Sequence, residues 1–229
     1  MRYINNRHKE PAELALYREN TPGVSYDGIP KKEKTIIRES LIDEQGYICA
    51  YCMGKIINVE NCTIEHYIPQ KRHETSPYSE EEHKKQSLLY SNMSGVCINN
   101  GDHCDKKRGN IPFEILDPHR ASCEELITYD LQGNIIPSGS EVEKVKKDIS
   151  TLGLNCKKLI NGRTAALDEV WKRFVNEHER SSWSKELFME RAQFYRTKQL
   201  KRGKTKFHAY CNYIAWYFEY YAKNYKSKE

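Results

Sequence analysis

The 229-residue chain has no apolar run approaching the roughly 18 residues needed to span a bilayer. Its opening, MRYINNRHKEP, lacks the apolar segment of a secretory signal. The two absences together predict a cytoplasmic protein. Cysteine is too sparse for a disulfide scaffold: there are 8, far from the roughly 8–10% that marks one. In a reducing compartment, clustered cysteines are metal ligands or buried thiols sooner than disulfides. Internal repeats, long low-complexity segments and any evident base-reading element are also missing.

Hydrophobic residues make up 38% of the chain, enough for a core. Charged residues make up 30% and the mean hydropathy is −0.84, as in a soluble protein. The net charge of +5 is unevenly spread. From Lys157 onward there are 17 Lys or Arg against 8 Asp or Glu, which leaves the remainder mildly acidic. A basic C-terminal third predicts a polyanionic partner or a solvated charged face.

Periodicity predicts an α+β chain. Pro11 opens a helix continued by AELALYREN. TPGVSYDGIP reads as a loop. KKEKTIIRESLIDEQ reads as a helix with Ile36, Ile37, Leu41 and Ile42 on one stripe, stopped by Gly46. LITYDLQGNIIP reads as a hairpin turning at Gly133-Asn134. EVEKVKKDISTLGL, RTAALDEVWKRFVNEHER and a last segment from about Lys206 read as helices. The chain divides into four segments: 1–46, helical; 47–118, short strands and turns bearing Cys and His; 119–140, a hairpin-like connector; 141–229, mostly helical.

CAYC places Cys49 and Cys52 at a spacing that lets two thiolates hold one metal from a tight turn. Alone, it is also compatible with a redox motif or with chance. CINNGDHCDKKRG adds Cys97 and Cys104, with an Asn-Asn-Gly-Asp turn between them. Four thiolates on two knuckles predict a structural, tetrahedral zinc site, with His103 as an alternative fourth ligand. Cys62, Cys123, Cys156 and Cys211 read as small buried apolar residues.

CTIEHYI has strand character, yet carries Glu65 beside His66. Adjacent strand residues point to opposite faces, so alternation cannot turn both to solvent. The two cysteine pairs bracket this strand and would draw it into one module with the segment after Cys104.

The order Cys-x2-Cys, Glu-His, Asn92, Cys97, Cys104-Asp105 resembles the HNH endonucleases. YICAYCMGKI, IEHYIPQ, LLYSNMSGVC and HCDKKRG look like PtuB, the HNH partner of an ATPase in Septu and some retron antiphage systems. MRYINNRHKEPAEL and ISTLGLNCKKLINGR look like it too, so the resemblance touches residues 1–163 and is most specific between 47 and 110. It implies a zinc-stapled ββα-metal module flanked by N-terminal helices and a mostly helical C-terminal region. It implies phosphodiester hydrolysis, with DNA the first expectation and RNA the second, alongside a PtuA-like ATPase. His66 would be the general base, and Asn92 would brace its loop. Glu65 and Asp105 would hold a catalytic Mg²⁺ or Mn²⁺, with His103 the alternative to Asp105. Arg108 or Lys107 would contact the phosphate. Two features depart from the commonest pattern: Asp105 stands where His or Asn is usual, and the second cysteine pair is widely spaced. The rival expectation is a zinc-stapled nucleic-acid- or ATPase-binding module without catalysis.

In the tail, YRTKQLKRGKTKFH (195–208) carries six Lys or Arg and no acid. It reads as a phosphate-tracking segment or a solvated helix end. After it, Phe207, Tyr210, Ile214, Tyr217 and Tyr221 form a helical stripe, widened by Tyr213, Trp216 and Tyr220. At that spacing a stripe is usually core; a partner-binding face comes second and base stacking third.

Overall fold

A Pro- and Gly-dense loop separates two N-terminal helices, α1 (Ala12–Asn20) and α2 (Lys31–Glu44), in the computed structural model, which describes residues 1–4, 10–21, 23–201 and 203–226. Part of the opening block, residues 5–9, and Pro22 and Arg202 lie outside the described residues. α2 buries Ile37, Leu41 and Ile42, as its apolar stripe predicts. It lies on an antiparallel ribbon of β1 (Cys62–His66) and β2 (Met93–Cys97), in register Cys62 opposite Cys97 and His66 opposite Met93. Leu14, Ile37, Leu41, Ile64 and Met93 close the space between α2 and the ribbon.

One residue past α2, Gln45 stitches helix to ribbon. Its amide nitrogen donates to the Gly95 carbonyl at 2.7 Å, and its amide oxygen accepts from the Gly95 N–H at 2.7 Å. That approach requires glycine: a Cβ at Gly95 would sit 3.1 Å from Cys62 Sγ and 3.4 Å from Gln45. Between the strands lies α3 (Glu80–Gln86), opened by a reciprocal capping box of Ser79 and Glu82. After the ribbon comes a single turn, α4 (Cys104–Arg108).

The expected hairpin forms as β3 (Ile127–Tyr129) and β4 (Ile135–Pro137). α5 (Val142–Thr151) and α6 (Lys157–Glu177) come next. The chain beyond differs from its sequence reading. A separate α7 (Lys185–Arg196), capped by the Ser184 hydroxyl, precedes a hairpin of β5 (Gln199–Lys201) and β6 (Lys204–Lys206). The basic segment therefore starts at the end of α7, with Arg196, and continues as a two-stranded hairpin with Gly203 at positive φ in its turn. The last helix, α8 (Cys211–Asn224), starts later than about Lys206 because Tyr210 is left-handed (φ 56°) and its N–H is bonded to the Met53 carbonyl.

The aromatic stripe of α8 is mostly core. Ile214, Ala215 and Phe218 pack with Phe174 of α6 and Phe188 of α7. Trp171 stands 4.7 Å from Tyr221 between ring centroids, while Tyr220 stays exposed. The largest apolar cluster crosses all four expected segments, joining Ile42, Tyr51, Leu116, Ile127, Val145, Leu159 and Tyr213. No helix among the described residues is long and apolar enough to cross a membrane.

Candidate metal centre and active site

The first cysteine pair sits on a tight turn closed by Cys49 N–H to Gly54 O at 2.8 Å and Met53 N–H to Cys49 O at 3.0 Å. The Gly54 N–H points at Cys52 Sγ, 3.3 Å away. Cys97 ends β2 and Cys104 starts α4, so ribbon and helix each contribute one sulfur. The four sulfurs lie within 4.8 Å of one another, with 3.8 Å between Cys49 and Cys104, Cys52 and Cys97, and Cys97 and Cys104. A tetrahedron with metal–sulfur bonds of about 2.3 Å has edges of about 3.8 Å, so this donor set fits zinc.

Cys104 is held left-handed (φ 55°) by its N–H on the Leu152 carbonyl at 2.8 Å. Gly153 is next in the chain, and a Cβ there would strike the Asp102 carbonyl at 2.4 Å. The end of α5 is thus pressed against the knuckle. His103 stands outside the sulfur set, with Nε2 3.6 Å from Cys97 Sγ and Nδ1 4.0 Å from Cys156 Sγ. Cys156 is accordingly only half-buried and faces His103, whereas Cys62, Cys123 and Cys211 are buried as expected.

Glu65 and His66 point to opposite faces of β1. On the Glu65 face, Arg108 forms an ion pair with the carboxylate, and the Tyr51 hydroxyl donates to it at 3.3 Å. The charge of Asp105, in the first turn of α4, acts on the same carboxylate. One guanidinium set against two carboxyl groups in a buried place favours protonated Glu65. Burial foremost, then the Asp105 charge opposing the pull of Arg108, raises the Glu65 pKa to about 8. Hard divalent cations favour paired carboxylates in such a place, so Glu65 and Asp105 fit Mg²⁺ or Mn²⁺. Among the described residues no third Asp, Glu, His or Cys joins them at metal-ligating distance.

His66 is 2% exposed, lodged between Tyr26, Ser87 and Gln70. Its Nε2 lies 3.0 Å from the Ser87 carbonyl, which can only accept, so Nε2 carries the proton. Nδ1 then holds the lone pair, capped by the Gln70 amide nitrogen at 3.2 Å. Burial lowers the pKa to about 4, so the ring is neutral at pH 7.

Asn92 spends its whole amide on this neighbourhood. Its oxygen accepts from Ile68 N–H at 2.8 Å, and its nitrogen donates to the Ile68 and Gln86 carbonyls at 3.0 Å each. It therefore ties the chain after His66 to the segment carrying the Ser87 carbonyl.

Of the two expected phosphate contacts, Arg108 lies inside the protein and Lys107 on its surface. Arg108 is 1% exposed. It donates to the carbonyls of Ile111 (2.8 Å), His66 (2.9 Å) and Tyr67 (2.6 Å), and its guanidinium lies 4.0 Å from the Phe113 ring centroid. With its donors spent inside, it holds α4 to β1 and has none aimed at solvent. Lys107 is exposed, but lines a groove with Lys146, Gly153 and Asn155, against α5. Sequence reasoning missed Tyr51, Gln70, Ser87 and Tyr26. Only Gln70 left a trace, four residues past His66 across Pro69.

These features define an α+β protein with short antiparallel sheets and a four-cysteine cluster able to hold zinc. No protein-family model matches the chain. Over 130 residues it is 32% identical to the "Retron Vc95 putative HNH endonuclease" of Vibrio cholerae serotype O1 biovar El Tor, taking in 53% of this chain and 58% of that protein. The chain thus spans little more than half the length of the curated relative it matches, and the name of that relative supports an HNH endonuclease.

Proposed function

We propose that this chain is an HNH endonuclease of the PtuB kind, a phosphodiester hydrolase acting on nucleic acid, DNA before RNA, as the effector of an ATPase in antiphage defence. The single observation that carries the reading is the arrangement at the end of β1. Buried Glu65, paired with Arg108 and under the charge of Asp105, lies on one face, while the neighbouring His66 is locked as the tautomer with its lone pair on Nδ1. The retron name of the relative supports the defence setting.

His66, neutral at pH 7, would take the proton of the attacking water on Nδ1 once the Gln70 amide turns aside. Ser87 and Asn92 hold the ring for that transfer. Glu65 and Asp105 would hold Mg²⁺ or Mn²⁺, which supplies charge to stabilise the phosphate and the leaving oxygen. The four cysteines would hold the structural zinc.

Supercoiled plasmid incubated with the chain and Mg²⁺ or Mn²⁺, beside His66→Ala, tests the reading; an RNA substrate and an ATPase partner form the further arms. Nicking by the native chain alone supports it, and equal nicking by both sinks it. One observation favours the non-catalytic alternative: both His66 nitrogens are occupied and the ring is nearly inaccessible. A chain that binds zinc and nucleic acid but never cleaves, with or without the ATPase, would fit that alternative.

A further inference from the structure

With Arg108 spent internally and Lys107 lining the groove against α5, a second set of cations stands near the His66 ring. The cover over His66 is Tyr26, from the loop between α1 and α2. Its ring meets the imidazole edge-on, with centroids 4.5 Å apart. The same ring carries a cation: Lys34 Nζ lies 4.8 Å from its centroid and donates to the Asp27 carbonyl at 3.2 Å. Arg38 lies one turn further along α2. It donates from Nε to the Lys34 carbonyl at 3.3 Å and from Nη2 to the Thr35 hydroxyl at 3.1 Å. Its Nη1 has no partner among the described residues, and neither Lys34 nor Arg38 forms an ion pair there. Both side chains are half-buried, which fixes their stems while the charges stay reachable.

We propose that Lys34 and Arg38 are the backbone-phosphate contact of this protein, gripping a nucleic-acid strand over Tyr26 so that a phosphodiester is delivered to His66. The ligand class is a polyphosphodiester, DNA or RNA. Delivery to His66 rests on the nuclease reading, whereas strand binding can be measured without cleavage. The electrostatics agree. Burial raises the Tyr26 phenol pKa, with Arg38 opposing and Asp27, Asp105 and Glu65 adding to it, so Tyr26 lies within the field of both the cations and the carboxylate pair. Lys34 and Arg38 lie four residues apart on α2, with Cβ atoms about 5–6 Å apart, so their charges share one face and can reach one phosphate or adjacent ones along a strand. Tyr26 is half-buried between them and His66, so a strand held there must displace it before reaching Nδ1.

The test uses the full chain carrying His66→Ala, to prevent cleavage. Fluorescence anisotropy reports binding to a 40-base-pair DNA duplex, the matching single strand and an RNA of the same sequence, across a salt series. Lys34→Gln with Arg38→Gln should weaken binding at least tenfold on the preferred strand. It should also lower the slope of log affinity against log salt by about 1.8 for duplex or 1.4 for a single strand, the value of two lost phosphate contacts. The charge-matched control, Lys172→Gln with Lys185→Gln on exposed positions of α6 and α7, should change neither. Lys34→Arg with Arg38→Lys keeps both charges and should restore the slope, which separates charge from damage to the fold. An unchanged affinity and slope in the double Gln variant overturns the proposal. So does equal weakening by the control pair. If the catalytically intact double Gln chain cuts plasmid as the native chain does, this assignment fails while the nuclease reading stands; if the native chain binds no nucleic acid at all, both fail.

Discussion

His66 donates from Nε2 to the Ser87 carbonyl at 3.0 Å, and Ser87 lies one residue past Gln86, whose carbonyl accepts from Asn92. The asparagine thus acts on the histidine at one remove. It places the carbonyl that selects the tautomer. Asn92→Ala should lower kcat by about 10- to 100-fold with KM nearly kept, since a small misplacement of a reacting group costs that much. Stability should fall by about 1–3 kcal/mol, from the Ile68 and Gln86 groups left unpaired. Steady-state kinetics beside urea unfolding separate the two effects. Loss of zinc together with activity would assign Asn92 a purely structural role.

The pKa of about 4 at His66 sets a pH expectation. The ring takes up its proton only as pH falls through about 4, so the base form is fully present above that value. At saturating Mg²⁺, kcat/KM from pH 8 down to 5 should show no fall centred on 6.5, the ordinary histidine value. A break near 6.5 that disappears with His66→Ala would show the ring to be solvated in the working state, in contrast to its buried setting here.

Zinc should be present at about one per chain. Cys52→Ser or Cys104→Ser should lower its retention by orders of magnitude and open the 47–110 region to protease, because structural zinc contributes roughly 10–16 kcal/mol of binding energy to folding. Cys123→Ser and Cys211→Ser should leave zinc content unchanged, since neither sulfur belongs to the cluster. Elemental analysis of purified protein decides it; folded chain free of zinc would remove the centre.

Arg108→Ala should destabilise the fold by at least about 1–3 kcal/mol, because it leaves the Ile111, His66 and Tyr67 carbonyls and the Glu65 carboxyl without their buried donor. Arg108→Lys should not restore it, since an ammonium cannot reproduce the planar fork. Lys107→Ala should be nearly neutral for stability. Thermal melts of the three variants are the check, and a fully stable Arg108→Ala would place the guanidinium outside.

Phe218→Ala should cost about 3–5 kcal/mol, as expected of a large side chain lost between α6, α7 and α8. Tyr220→Ala, on an exposed position, should cost under about 1 kcal/mol. Deleting 206–229 should therefore unfold the chain and would say nothing about docking of an ATPase. If Tyr220→Ala alone abolishes ATPase capture without moving the melting temperature, the exposed edge of α8 is the docking face.

The two cysteine knuckles were legible because tight turns at fixed spacing leave thiolates few alternatives. The early helices were legible, the first from its Pro11 start and the second from its apolar stripe at Ile36, Ile37, Leu41 and Ile42. The destination of Arg108 was not, since its partners at Ile111, His66 and Tyr67 come together only through tertiary packing. The hairpin at 199–206 was hidden by uniform lysine charge, which masks the two-residue alternation. Tyr26 was read as plain loop because nothing local says that a turn before α2 reaches over the end of β1.

The Leu152 carbonyl that holds Cys104, and the glycine after it pressed on Asp102, lie about fifty residues downstream of the knuckle they shape. During synthesis the fourth sulfur therefore has no fixed position until α5 has left the ribosome and folded back. Tight metal loading should therefore await the emergence and folding of α5. Stalled nascent chains ending before residue 150 should take up zinc weakly, and those long enough to expose 157 should take it up tightly. A product ending before α5 would then lack a firmly held metal and, with it, an ordered ribbon.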